Sequence, residues 1–91
     1  MKTPLVAANW KMHKTVRETL SYAHAIRDRM TTVNNVEVVV APPFTALHTL
    51  AGVFAGSAIG VAGQNLHSEP HGAFTGEVSA NMLKEAGAGY V

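Results

Sequence analysis

Apolar residues in this chain come in short unbroken runs, separated by longer stretches with helical spacing. Leu5 to Asn9 is apolar without period-two alternation, the pattern of a parallel strand covered on both faces. Thr15-Val16-Arg17-Glu18 reads as a capping box, in which hydroxyl and carboxylate satisfy each other's orphan backbone donors. Val16, Leu20, Ala23, Ile26 or Arg27, and Met30 then follow the spacing of one buried helical face. Charged Arg17, Arg27, Asp28 and Arg29 fall mostly elsewhere, and Asn34-Asn35 signals a turn.

Val36 to Ala41 is the second predicted strand, with Val38-Val39-Val40 strongly β-favouring. Pro42-Pro43 ends it, since neither residue can donate to a ladder. Thr45 is the expected cap of a helix through Leu47, Leu50, Ala51 and Phe54, closed by Gly56 at C′. Ile59 to Gln64 is a third strand. A polar loop runs from Asn65 to Glu77 and holds Pro70, Gly72 and Gly76; loops of this length are usually functional or rest on a partner. Ser79 caps a short helix ended by Gly87, and Ala88 to Val91 begins a fourth strand. Strand and helix alternate without an internal repeat or linker. Residues 1–91 are therefore read as one unit, a parallel sheet with right-handed crossovers.

The stretch from Phe44 to Gly63 holds no Lys, Arg, Asp or Glu and approaches membrane length, with Gly52, Gly56 and Gly60 in GxxxG spacing. Its glycines, Ser57 and the change of period after Gly56 fit a buried helix, a turn and a buried strand better. Composition supports a core-forming chain: 47% of its 91 residues are hydrophobic and only 14% charged. So little charge on so short a chain suggests apolar surface meant to be covered. A net charge of +1 without a basic cluster argues against nucleic acid. Without cysteine there is no disulfide, thiolate metal site or thiol nucleophile, which is compatible with the cytoplasm.

Chemistry concentrates after the first strand. Asn9 and Lys11 stand at its C-terminal tip, where α/β sheets bind ligands. Lys11 could neutralise a phosphate or a developing oxyanion, with Asn9 supplying an amide. The alternative is a solvated lysine whose stem lies over Trp10. No glycine-rich dinucleotide fingerprint or P-loop is present. Five histidines invite a metal reading, above all His67 and His71 with Glu69 between them. Pro70 and Gly72 argue against the helix that would make such a pair converge, so both read as loop histidines. His24 and His48 read as ordinary helix residues, and His13 has no partner in sequence. Residue chemistry alone thus offers an anion clamp and no general base.

Several motifs resemble one family closely. Ala7-Ala8-Asn9-Trp10-Lys11-Met12, Ala41-Pro42-Pro43, Gly63-Gln64-Asn65 and Gly72-Ala73-Phe74-Thr75-Gly76-Glu77 are similar in order and spacing to the N-terminal part of the triosephosphate isomerases. The resemblance implies a parallel (β/α)8 TIM barrel, of which this chain supplies three βα units and the start of strand four; full barrels of this type need about 250 residues. It implies interconversion of dihydroxyacetone phosphate and D-glyceraldehyde 3-phosphate by proton transfer, in glycolysis and gluconeogenesis, with no metal or organic cofactor. Lys11 would be the catalytic and substrate-binding lysine, and Asn9 would bind substrate and help fix Lys11. The family's histidine electrophile follows strand four and its glutamate base comes later, a pairing that belongs to the family and is not read from these residues. The loop would enter a pocket of a second subunit in a homodimer, through Thr75 buttressed by Phe74 and Glu77, with Gln64 and Asn65 at its base near the interface.

The expectation is an N-terminal segment of such an isomerase, cytoplasmic and inactive alone. With an open sheet edge, the isolated chain should be marginal, molten or self-associating. Two alternatives remain open: a non-catalytic folding or assembly module, and a small phosphate-binding α/β domain.

Overall fold

A computed structural model describes residues 2–91. The order is β1 (Leu5–Asn9), α1 (Val16–Arg29), β2 (Glu37–Ala41), α2 (Phe44–Phe54), β3 (Ile59–Val61) and α3 (Ala80–Ala86). The three strands form one parallel sheet in the order β1-β2-β3. Leu5 lies opposite Glu37 and Asn9 opposite Ala41, while Val38 lies opposite Ile59 and Val40 opposite Val61. The expected fourth strand is reduced to a parallel bridge between Ala62 and Tyr90. Gly89 N–H donates to Val61 O and Gly63 N–H to Tyr90 O, each at 2.9 Å. The third strand is correspondingly shorter than expected, because the chain leaves the ladder after Ala62 to enter the long loop.

The core lies between the sheet and the helices. Val40, Ile59 and Val61 meet Leu47, Leu50 and Phe54 of α2, Ala23 of α1 and Leu83 of α3. Placing each of these side chains out of water is worth about 1.5–3 kcal/mol for the larger ones. Val39 points to the opposite face, where the absent side chain of Gly60 leaves room for the Tyr90 ring.

α1 carries the capping box in full: Thr15 Oγ1 accepts from Glu18 N–H at 3.2 Å, and Thr15 N–H donates to the Glu18 carboxylate at 2.9 Å. Its buried face differs from the expected one. Val16 and Leu20 are exposed, whereas Thr19 and Ala23 are fully buried, with Ile26 and Met30 packed against the core. Thr19 tolerates burial because its hydroxyl donates to Thr15 O at 2.7 Å, so no polar atom is left unpaired. Arg27 sits on the same side. Its guanidinium donates to Val53 O and Ala55 O, satisfying carbonyls at the end of α2.

α2 begins two residues earlier than a cap at Thr45 predicts. Pro43 occupies the cap with no side-chain bond, and its carbonyl accepts Ala46 N–H at 3.0 Å. Proline's fixed φ already orients the chain for the first turn, so the threonine hydroxyl is not needed. Gly56, at φ 78, is the left-handed C′ residue expected of it. At α3, Ser79 Oγ accepts from Met82 N–H at 3.2 Å, and Gly87 closes the helix at φ 110. β1 departs most from expectation: all five residues are exposed, Leu5 at 53% and Val6 at 54%. It is an edge strand paired only with β2. Among the described residues, no helix is long and apolar enough to cross a membrane.

Candidate active site at the strand tips

The C-terminal ends of the three strands meet around the peptide of Lys11. Asn9 is the last residue of β1, and its Oδ1 accepts Lys11 N–H at 2.8 Å. Trp10 N–H donates to Ala41 O at 3.0 Å, which carries the β1–β2 ladder one residue past the strand. The chain then turns sharply: Lys11 has φ 55, a left-handed conformation that costs a non-glycine residue about 1–2 kcal/mol. Gln64, just beyond β3, reaches back over this turn. Its Nε2 donates to Lys11 O and to Ala41 O, both at 2.9 Å. One carboxamide thus joins the ends of all three strands, and hydrogen bonds of this kind are worth about 1 kcal/mol each. Together with the Asn9 bond they offset the strain at Lys11, whose side chain is exposed.

A second set of contacts fixes the far end of the same loop. Lys14 is also left-handed, at φ 82, and its ammonium lies 4.5 Å above the Tyr22 ring. Tyr22 in turn meets Trp10 edge to face, with centroids 5.6 Å apart and planes at 74°. Asn9, Trp10, His13, Lys14, Glu18 and Tyr22 line an open cavity of about 350 Å³ beside the lysine turn. Glu18 is the carboxylate of this lining. The Thr15 backbone N–H, then its hydroxyl, and less strongly the Lys14 charge, hold its pKa below the ordinary glutamate value. Such a carboxylate is a weak base committed to a helix cap.

The loop from Asn65 to Glu77 folds onto itself. His67 N–H donates to Val78 O at 2.7 Å, closing its neck in the manner of an Ω-loop. The His67 and Phe74 rings stack at 3.9 Å, and His67 Nδ1 accepts Glu69 N–H at 3.0 Å. His67 is therefore engaged in shaping the loop, and His24 and His48 are exposed helix residues. A turn with Glu77 N–H donating to Phe74 O at 3.0 Å presents Thr75 at the exposed tip. Among the described residues, no hydrogen bond joins Thr75, Phe74 or Glu77 to Asn9, Lys11 or Gln64. The structure thus unites Asn9, Lys11 and Gln64, and sets Asn65, Phe74, Thr75 and Glu77 apart on the loop.

Asn9 and Lys11 stand together at the strand tips, as their place after the first strand suggests, whereas Tyr22 and Lys14 were not singled out from the sequence. A helical tyrosine seven residues past the Thr15 cap gives no local signal of its lysine partner. Gln64 was read as the base of a loop, and its bonds to Lys11 and Ala41 span sequence gaps that no pattern reveals.

A parallel βα sheet with connecting helices is the building pattern of the barrel-type α/β proteins, which carry their sites at the C-terminal ends of the strands. The fold is shared with the crystal structure of triosephosphate isomerase from Bartonella henselae, with a TM-score of 0.87 at 38% identity, over 96% of this chain and 35% of that one. The sequence pattern of the triosephosphate isomerase family matches residues 4–91, and the chain belongs to that family. Triosephosphate isomerases of Symbiobacterium thermophilum and Alkaliphilus metalliredigens are each 50% identical to it over 91 residues. The match covers all of this chain and 36% of each relative, so the chain spans about a third of their length.

Proposed function

We propose that this chain supplies the lysine-bearing part of a triosephosphate isomerase site, in a cytoplasmic enzyme that interconverts dihydroxyacetone phosphate and D-glyceraldehyde 3-phosphate. The observation that carries the reading is the Lys11 turn, held in a left-handed conformation at the strand tips by Asn9 and Gln64. Strain of this sort concentrates where a side chain must be aimed. An ammonium there neutralises a phosphate dianion and stabilises negative charge as an enediolate develops, while the Asn9 amide offers a donor to substrate oxygen. Proton transfer also needs a base, and the carboxylate of this lining, Glu18, is tied to Thr15. The 91 residues alone are accordingly expected to be inactive.

The same reading extends to a homodimer through the Asn65 to Glu77 loop, with Thr75 at its tip and Gln64 and Asn65 at its root. The closed neck and the His67–Phe74 stack support it, because a loop folded before docking loses less entropy on binding.

The test is a chimaera in which these 91 residues replace the matching segment of the Symbiobacterium thermophilum enzyme. Isomerase activity near that of the parent is expected, with Lys11→Ala lowering kcat/KM by at least about 10²–10³-fold. A folded chimaera that turns over normally with alanine at position 11 would sink the proposal.

A further inference from the structure

We propose that Gln64 is a positioning residue for Lys11, a role separate from any contact with a second subunit, and one that rests on the isomerase reading above. Lys11 must adopt a left-handed backbone conformation to leave β1 at the angle observed, and lysine has no intrinsic preference for it. Its peptide is held on both sides. The N–H goes to Asn9 Oδ1, two residues back, and the carbonyl goes to Gln64 Nε2, which comes from a different strand end. Only the second of these ties the turn to the rest of the sheet.

The geometry explains why a glutamine stands here. A carboxamide nitrogen has two hydrogens, and the two carbonyls it faces, Lys11 O and Ala41 O, take one each at the same 2.9 Å. Ala41 O also receives Trp10 N–H, so the bifurcated carbonyl marks the point where β1, β2 and the Gln64 arm cross. A glutamate of the same shape has no hydrogen to give and would set an anion against two carbonyl oxygens. Methionine fills the space without bonding. Asparagine is one methylene short of both acceptors. The lysine peptide is therefore referenced to β2 and β3 through one side chain, and a displacement of about 1 Å at a reacting group can cost roughly 10²-fold in rate.

The experiment is a double-mutant cycle in the chimaera, pairing Gln64→Met and Gln64→Glu with Lys11→Ala. Against lysine, Gln64→Met should lower kcat/KM by roughly 10–100-fold, chiefly in kcat, and Gln64→Glu by more. Against Lys11→Ala, Gln64→Met should have little further effect, because the group it positions is gone. Equal fold losses in both backgrounds would overturn the proposal, since a general structural defect does not depend on the residue at position 11. Amide hydrogen exchange supplies a readout independent of turnover. Exchange accelerated by Gln64→Met at residues 10–14, with the amides of α2 unchanged, supports the role; unchanged exchange at residues 10–14 overturns it. Should the unsubstituted chimaera fold but not turn over, the isomerase reading falls by itself, and exchange still decides what Gln64 does.

Discussion

Lys14 and Glu18 show how single residues at the start of α1 trade local cost against local gain. Lys14 carries a left-handed backbone and recovers part of that cost by resting its ammonium on Tyr22. Lys14→Ala keeps the strain and loses the cation–π contact, whereas Lys14→Gly loses the contact and removes the strain. The glycine variant should therefore be the more stable of the two by about 1 kcal/mol, read from urea midpoints; the reverse order would show that the backbone at 14 is not strained. Glu18 adds a pH dependence whose sign is fixed by its lowered pKa. Its bonds to Thr15 favour the carboxylate, so the contribution to the helix is present above the ordinary glutamate pKa of about 4.3 and fades as pH falls through the lowered value. Glu18→Gln should thus differ most from the parent in melting temperature near neutral pH, with the gap closing in acid. A gap that does not change with pH would contradict the assignment.

Helix ends were largely legible in the letters, because caps act over three or four residues. Thr15 with Glu18, Ser79, Gly56 and Gly87 all do what their positions suggest. Thr45 misled, since a proline can begin a helix by its own geometry. Thr19 was passed over because hydrophobic counting does not see that a threonine hydroxyl can be satisfied four residues back. Arg27 was hidden for a different reason: its partners lie on another helix, 26 and 28 residues away. Arg27→Met keeps the apolar stem and leaves the α2 carbonyls without their donor, so it should cost about 1–2 kcal/mol. A neutral result in thermal unfolding would reduce that clamp to a surface contact. Gly87→Ala should be costlier than an ordinary surface change, because φ is 110 and a Cβ would stand 2.6 Å from Ala51 Cβ.

For the molecule as a whole, the parallel order of strands was readable from alternation, but the exposure of β1 was not. An apolar run predicts that a strand will be covered and says nothing about which neighbours do the covering. Leu5 and Val6 stand out in solvent on an unpaired edge, a template for association. The isolated chain should self-associate as its concentration rises, and Val6→Lys should shift it toward monomer in sedimentation velocity; a monodisperse monomer with a sharp two-state melt would refute this. Time enters through the carboxamide bond to the lysine turn. Gln64 follows Lys11 by 53 positions, so at roughly 5–20 residues per second a ribosome delivers it about 3–10 s later. Through that interval β1 and its lysine exist without the residue that sets their shape. The Lys11 turn is thus among the last features of this segment to be made during synthesis, fixed only once the third strand has arrived beside the second.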